Sequence, residues 1–374
     1  MKIDLSDLTI VIPTVSRPLF VLRQFKYWRN TNAQILILDG ASQPIQIPTQ
    51  LQSPNIRYIH TATRFNERLA TAGQYVVTKY CALLPDDEFF LTSGLRTAIN
   101  KLEQDTSTIG CVGRSLYFFV DQGRFLVKDA YRDWLPFPNN ALSIHDRLNV
   151  DLPPDKTHKA QFAVMRSEHW KVMFGRSYSQ FFSCGYTYER LLNLQRSVIG
   201  RTEILEEMLW MRSMENPPIS SVNVPRVDGR DFVSWARNPE FASEVAQYRQ
   251  IAVQMITQGG MSLDESKVFE ERFFVGGIHR QATKESKNRK KISTQIGNLL
   301  LNYTPKKMHL AAKKFIPARW LRITGWEGYD LETMCLSLEM RGTGYAKTEL
   351  ENVRDLALEL DIEIQKLNGT KNFT

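Results

Sequence analysis

A mixed, mostly parallel α/β sheet flanked by helices, with a helical C-terminal extension, is the fold class that the sequence predicts. Three observations lead there. Short apolar, β-branched runs alternate with helix-length segments through the first ninety residues. Those runs end at Pro13, at Asp39-Gly40 and at Pro85-Asp86. Beyond residue 239 the pattern turns helical. Strands alternating with helices call for a parallel sheet with both faces covered. At 374 residues the chain exceeds one average domain, and the change of pattern divides it into units 1–238 and 239–374.

The elements follow in order. Residues 8–13 are an apolar, β-branched run closed by Pro13, which suits a strand buried on both faces. Residues 19–29 read as a helix, and the runs 35–38 and 56–60 as the second and third strands. A helix over 66–80 precedes a short strand over 82–84, which leads into Pro85-Asp86-Asp87-Glu88. A helix over 94–103 is followed by one or two strands across 109–120 and another across 158–165. The spacing predicts a helix over 201–214, an extended segment over 222–227, and helices over 241–257 and 263–274. Leu350, Val353, Leu356, Ala357, Leu360, Ile364 and Leu367 keep helical spacing for about five turns.

Composition narrows the function classes. Apolar residues make up 43% of the chain, ample for a core, yet no run approaches the ~18 residues of a membrane span. The opening residues do not read as a signal peptide. Four well-separated cysteines and six histidines show no metal-ligand spacing, so a zinc site is not expected, and reduced thiols suit a cytoplasmic protein. The net charge of +8 is concentrated in residues 284–322, which hold eleven Lys/Arg against one acid, Glu285. Apolar residues such as Phe315, Ile316 and Trp320 lie among those cations. They suit peripheral contact with an anionic membrane on its inner face. A solvated basic helix packed on the domain is the plainer alternative. No DNA- or RNA-binding motif accompanies the charge, so no nucleic acid partner is expected.

The acidic run Asp86-Asp87-Glu88 carries the most chemistry. Three adjacent carboxylates beside buried apolar residues are costly unless a cation offsets them. Hard divalent cations take such oxygen ligands, completed by water and phosphate. The other reading is an acidic turn in which Asp86 or Asp87 caps the next helix. Thr14, Arg17 and Asp39 fall at the carboxyl ends of other predicted strands, where ligands of open α/β sheets gather. Asp39-Gly40 also reads as a simple turn, and Ser16 as an N-cap.

Ile10-Val11-Ile12-Pro13-Thr14 with Arg17, then Leu38-Asp39-Gly40-Ala41-Ser42, then Asp86-Asp87-Glu88 resemble the GT-A nucleotide-sugar glycosyltransferases. The resemblance spans roughly residues 8–230 and is strongest to the large inverting family 2. It implies a Rossmann-like sheet, a nucleotide-sugar donor and a glycan or lipid-linked acceptor in polysaccharide or glycolipid assembly. It also implies a divalent cation, Mn²⁺ or Mg²⁺, that stabilises the departing diphosphate. By the same resemblance Asp86 lies toward the ribose or nucleotide, and Asp87 and Glu88 hold the metal. Glu88 stands where relatives carry a second Asp. Thr14, Arg17 and Asp39 border the nucleotide, and Arg64, with Asn66 and Arg68, lies near the phosphates. Leu38 replaces the first of two Asp found in many relatives.

An inverting transfer needs a general base. The family carries it at the start of a late helix, which points to Glu206 first, with Glu207 and Glu203 beside it. Asp121, Asp129, Asp133 and Asp228 are weaker candidates, and Arg226 and Arg230 flank a loop near the phosphates. Trp134, Phe137, Trp170, Tyr178, Phe181, Phe182, Tyr186 and Tyr188 cluster mid-chain, where one or two would stack on an acceptor sugar. A sugar-phosphate nucleotidyltransferase is the alternative enzyme, but it would want a glycine-rich loop that Thr14-Val15-Ser16-Arg17 does not offer. A non-catalytic glycan-binding module is the other alternative, kept open by Glu88.

Overall fold

The computed structural model describes residues 3–130, 140–151, 160–214, 232–290 and 328–370. Their strands are β1 (Leu8–Thr14), β2 (Gln34–Asp39), β3 (Ile56–His60), β4 (Tyr80–Leu83), β5 (Phe89–Phe90), β6 (Thr108–Asp121), β7 (Arg124–Ala130), β8 (Val164–Arg166) and β9 (Arg201–Ser213). They form one mixed sheet in the order β3-β2-β1-β4-β8-β6-β9-β5, with β7 paired to β6. The half made of β3, β2, β1 and β4 is parallel throughout. β8 runs antiparallel between β4 and β6, and β6 lies parallel to β9.

The helices are α1 (Pro18–Trp28), α2 (Phe65–Thr71), α3 (Thr92–Gln104), α4 (Ile144–Asp151), α5 (Ser167–Ser177), α6 (Tyr186–Ile199), α7 (Phe232–Arg237), α8 (Ala242–Gln258), α9 (Leu263–Lys290), α10 (Leu331–Met340) and α11 (Lys347–Thr370). They cover both faces of the sheet. Ile10 and Ile12 of β1, with Ile35 and Ile37 of β2, face a core closed by Phe25, Trp28, Leu95 and Ile99, and by Leu350, Val353 and Ala357 of α11. Val11, Leu36 and Leu38 face the opposite core, built on Trp170, Phe174, Leu191, Tyr248 and Ile256. Alternation across a doubly covered sheet makes each parallel strand read as an unbroken apolar run.

The chain beyond residue 239 contributes to both cores. α8 and α9 join the second, and α10 and α11 join the first. α11 also caps α3: Glu349 accepts hydrogen bonds from Ser93 N at 3.0 Å and Ser93 Oγ at 2.6 Å, and from the Thr92 hydroxyl. Such bonds satisfy N–H groups that a helix start leaves without an intrahelical partner. Lys26 of α1 reaches Glu359 at 2.6 Å, and Arg341 reaches Asp129 at 2.9 Å.

The sheet departs from the sequence reading in several places. Residues 201–214 are strand β9 and not a helix. Apolar Ile204, Leu205, Met208 and Leu209 repeat as a helix would, but the repeat comes from bulges. Between Val112 and Arg114 of β6 lies one residue, whereas between the partners Ile204 and Met208 lie three. Extra residues in one strand break the two-residue period. Gly113 sits at this bulge, where a Cβ would overlap the Leu209 side chain. The helix expected over 66–80 is the seven-residue α2 followed by a 3-10 turn, Ala72–Tyr75, which gives way to the β-branched Val76-Val77-Thr78. Of 158–165, the strand is only Val164–Arg166, with a 3-10 turn at Ala160–Phe162 before it. The extended segment over 222–227 lies outside the described residues. So does the basic stretch beyond residue 290, whose first cations end α9.

Candidate active site at the strand ends

β1, β2 and β4 end side by side, because Thr14 pairs with Asp39 and Val11 with Leu83. This register sets Thr14, Asp39 and the acidic run along one edge. Thr14 Oγ1 donates to Asp86 Oδ2 at 2.6 Å, and Arg17 Nη1 donates to Asp86 Oδ1 at 2.5 Å. Arg17 Nη2 lies 3.0 Å from Asp87 Oδ2, and its guanidinium stacks over Phe20 at 4.5 Å. Neither Asp86 nor Asp87 caps α3, whose N-cap is Leu91. The capped-turn reading of the acidic run therefore does not hold. Ser16 takes a positive φ of 55°, turning the chain into α1, and Arg17, not Ser16, is the N-cap residue.

α1 holds the backbone of the acidic run. Gln24 Nε2 donates to Asp86 O at 2.9 Å and Glu88 O at 2.8 Å, and Arg23 donates to Asp87 O at 2.8 Å. Trp28 Nε1 fixes Gln24 by donating to its Oε1 at 2.8 Å. Glu88 turns the other way, into the sheet. Trp210 Nε1 donates to Glu88 Oε2 at 2.6 Å, and Arg212 Nε lies 3.5 Å from Oε1. Burial raises Asp86 to about 6 despite Arg17, and burial with the neighbouring aspartates pushes Glu88 well above the ordinary glutamate value.

Asp39 is fully buried. Its Oδ1 accepts from Ala41 N at 2.9 Å and its Oδ2 from Tyr58 Oη at 2.6 Å. Beside it the Arg68 guanidinium, 3% exposed, covers Gly40, where a Cβ would fall on it. Arg68 donates to the carbonyl of Thr63 and, at 3.5 Å, to that of Thr14. Arg64 is the N-cap residue of α2 and stacks over Phe181 at 4.8 Å.

The three glutamates expected at the start of a helix lie on β9 instead. Glu206, with its side chain 71% exposed, pairs with Arg114 at 2.5 Å. Glu203 lies 3.3 Å from Arg201, and Glu207 packs on Gly344. Their neighbours are therefore not the strand-end cluster. The helix that precedes β9 is α6, and its first turn carries Glu189, which the sequence reading passed over. Phe65 of α2 meets Tyr178 edge-on at 5.8 Å, and Tyr178 stacks on Tyr188 of α6 at 4.7 Å. Tyr178 thus lies between the first turns of α2 and α6. Among the mid-chain aromatics, Phe181 and Tyr186 are exposed, whereas Trp170, Tyr178, Phe182 and Tyr188 are core. Trp134, Phe137, Asp133, Asp228, Arg226 and Arg230 lie outside the described residues, and Asp129 and Asp121 face Arg341 and Arg124.

A divalent cation would need carboxylate oxygens turned to a common point. Both carboxylate oxygens of Asp86 are engaged by protein donors, and Glu88 points away into Trp210 and Arg212. Among the described residues no three His, Cys, Asp or Glu side chains converge on a common point. Mg²⁺ is commonly held by one or two carboxylates together with phosphate. Asp86 and Glu88 are thus committed to protein donors, and the three carboxylates do not converge as a cation centre.

No protein-family model matches the chain, and no curated protein matches it in sequence. Among solved structures it is similar to S. aureus TarS, at 11% identity and a TM-score of 0.43, over 75% of this chain and 43% of that one. It is also similar to S. aureus TarS 1-349, at 11% identity and a TM-score of 0.48, over 98% and 92% of the two chains. The same fragment in complex with UDP-GlcNAc matches with the same figures. The chain thus spans less than half of the longer TarS chain. Among the described residues no helix is long and apolar enough to cross a membrane.

Proposed function

We propose that this chain is a glycosyltransferase that moves a sugar from a nucleoside-diphosphate sugar to an acceptor hydroxyl. One observation carries the reading: Thr14, Arg17, Asp39, Arg68 and Asp86 meet at the carboxyl ends of β1, β2 and β4. That edge is where open α/β sheets bind nucleotides. In this reading the nucleoside lies against Asp39 and Gly40, and the diphosphate lies toward Arg17 and Arg68. Asp86 holds Arg17 in place and is itself set by Thr14.

The acceptor would approach from the side of the first turns of α2 and α6. Phe181 and Tyr186 are exposed there, and a sugar face stacks on such rings. Glu189, in the first turn of α6, is the proposed general base in place of the glutamates on β9. It would take the hydroxyl proton as the acceptor oxygen attacks the anomeric carbon and the nucleoside diphosphate departs. A single displacement of this kind inverts the anomeric configuration.

The test is a panel of nucleotide sugars incubated with the full chain, with released nucleoside diphosphate quantified. At least one donor should be turned over, and Asp39→Ala should weaken its binding tenfold or more. If no donor is bound or hydrolysed, the proposal fails. Glu189→Gln should lower transfer at least a hundredfold with donor affinity unchanged, whereas Glu206→Gln should leave the rate within threefold. The reverse ranking would return the base to β9.

A further inference from the structure

The carboxylates of the acidic run are already spoken for, while two guanidinium groups beside them are not fully satisfied. Arg17 Nη2 is buried and makes no hydrogen bond, although it is ion-paired with Asp87 Oδ2 at 3.0 Å. Arg68 Nε is buried and equally without a hydrogen-bond partner. Both side chains flank the last residue of β1. Arg68 reaches the carbonyl of Thr14, and Arg17 shares Asp86 with the Thr14 hydroxyl. Buried N–H groups without acceptors are rare in folded proteins and mark places where something else supplies the acceptor. A guanidinium presents its N–H groups in a planar fork that matches phosphate oxygens, and it keeps its charge when buried.

We infer that the site neutralises the diphosphate of its donor with the guanidinium groups of Arg17 and Arg68 and not with a divalent cation. The inference rests on the nucleotide-sugar reading above and adds to it the nature of the charge partner. Asp86 and Thr14 act here as positioning residues. They hold the Arg17 guanidinium at the carboxyl end of β1. Arg68 keeps a second cation at Gly40, where the absent side chain leaves room for its guanidinium.

Isothermal titration of the full chain with UDP, GDP, ADP and CDP, in EDTA and again with excess Mn²⁺, tests this. At least one nucleotide should bind in EDTA, with an affinity within threefold of that in Mn²⁺. Arg17→Ala and Arg68→Ala should each weaken that metal-free binding tenfold or more. Arg17→Lys, which keeps the charge but not the fork, should lose less. Thermal unfolding identifies any variant that fails to fold, and for such a variant the Lys replacement at the same position supplies the comparison. Binding that needs Mn²⁺ overturns the inference and leaves the nucleotide-sugar reading standing. Metal-free binding that survives in both alanine variants also overturns it. No binding under either condition overturns both.

Discussion

Asp86 is where sequence and structure meet at the scale of one residue. Its position in an acidic run pointed to metal or to a cap, and the structure gives it a third task, anchoring Arg17. The residues that define this task are 69 and 72 positions away in the chain, so local sequence does not show the pairing. Burial raises its proton affinity to about pH 6. The folded state then holds the proton more tightly than the unfolded chain, whose carboxyl titrates near ~3.9. Stability from this group is fully present at low pH and declines as pH rises from about 4 through 6. Unfolding midpoints measured from pH 4 to 7 should fall more steeply in the parent than in Asp86→Asn. Equal slopes would contradict the assignment. Glu88 offers a second check. Trp210→Phe removes the indole donor to Glu88 Oε2 and should cost about 1–3 kcal/mol, read as a lower unfolding midpoint.

Among the elements, β1, β2 and β3 were legible because apolar runs bounded by turn residues have few other readings. β9 was not, because its bulges against β6 produce a spacing that imitates a helix. The misreading carried the proposed base with it, since Glu203, Glu206 and Glu207 were chosen as residues of a first helical turn. Two features of α6 escaped as well: a glycine precedes it, and its first-turn acid is a single Glu189. Gly113→Val should disturb the bulge, since even a Cβ there meets the Leu209 side chain and the Glu207 carbonyl. Loss of two or more kcal/mol by urea unfolding is expected, in keeping with overpacking of a close contact. At α3, Glu349→Ala should cost about 1 kcal/mol, the usual value of a lost cap.

For the molecule as a whole, the parallel half of the sheet and the strand-end placement of Thr14, Asp39 and Asp86 followed from pattern and resemblance. How the chain beyond residue 239 packs did not. Helical spacing shows that a face is apolar, but not which surface it covers. Leu350, Val353 and Ala357 cover the same face of the sheet as α1 and α3. Leu350→Ala should therefore destabilise the strand-end domain by about 2–5 kcal/mol, as for other buried leucines. Chemical unfolding followed by tryptophan fluorescence, to which Trp28 and Trp210 of the same core contribute, reports this. A two-state transition that is unchanged would show that α11 contributes nothing to that core.

The hydrogen bonds from Ser93 to Glu349 join residues 256 positions apart. During synthesis, α3 leaves the ribosome long before the carboxylate that completes its first turn has been made. At about 5–20 residues per second the interval is tens of seconds at the slow end. Through that interval the core around Leu95 and Ile99 lacks its cover, exposed to solvent or to a chaperone. Completion of this fold therefore waits for the arrival of α11.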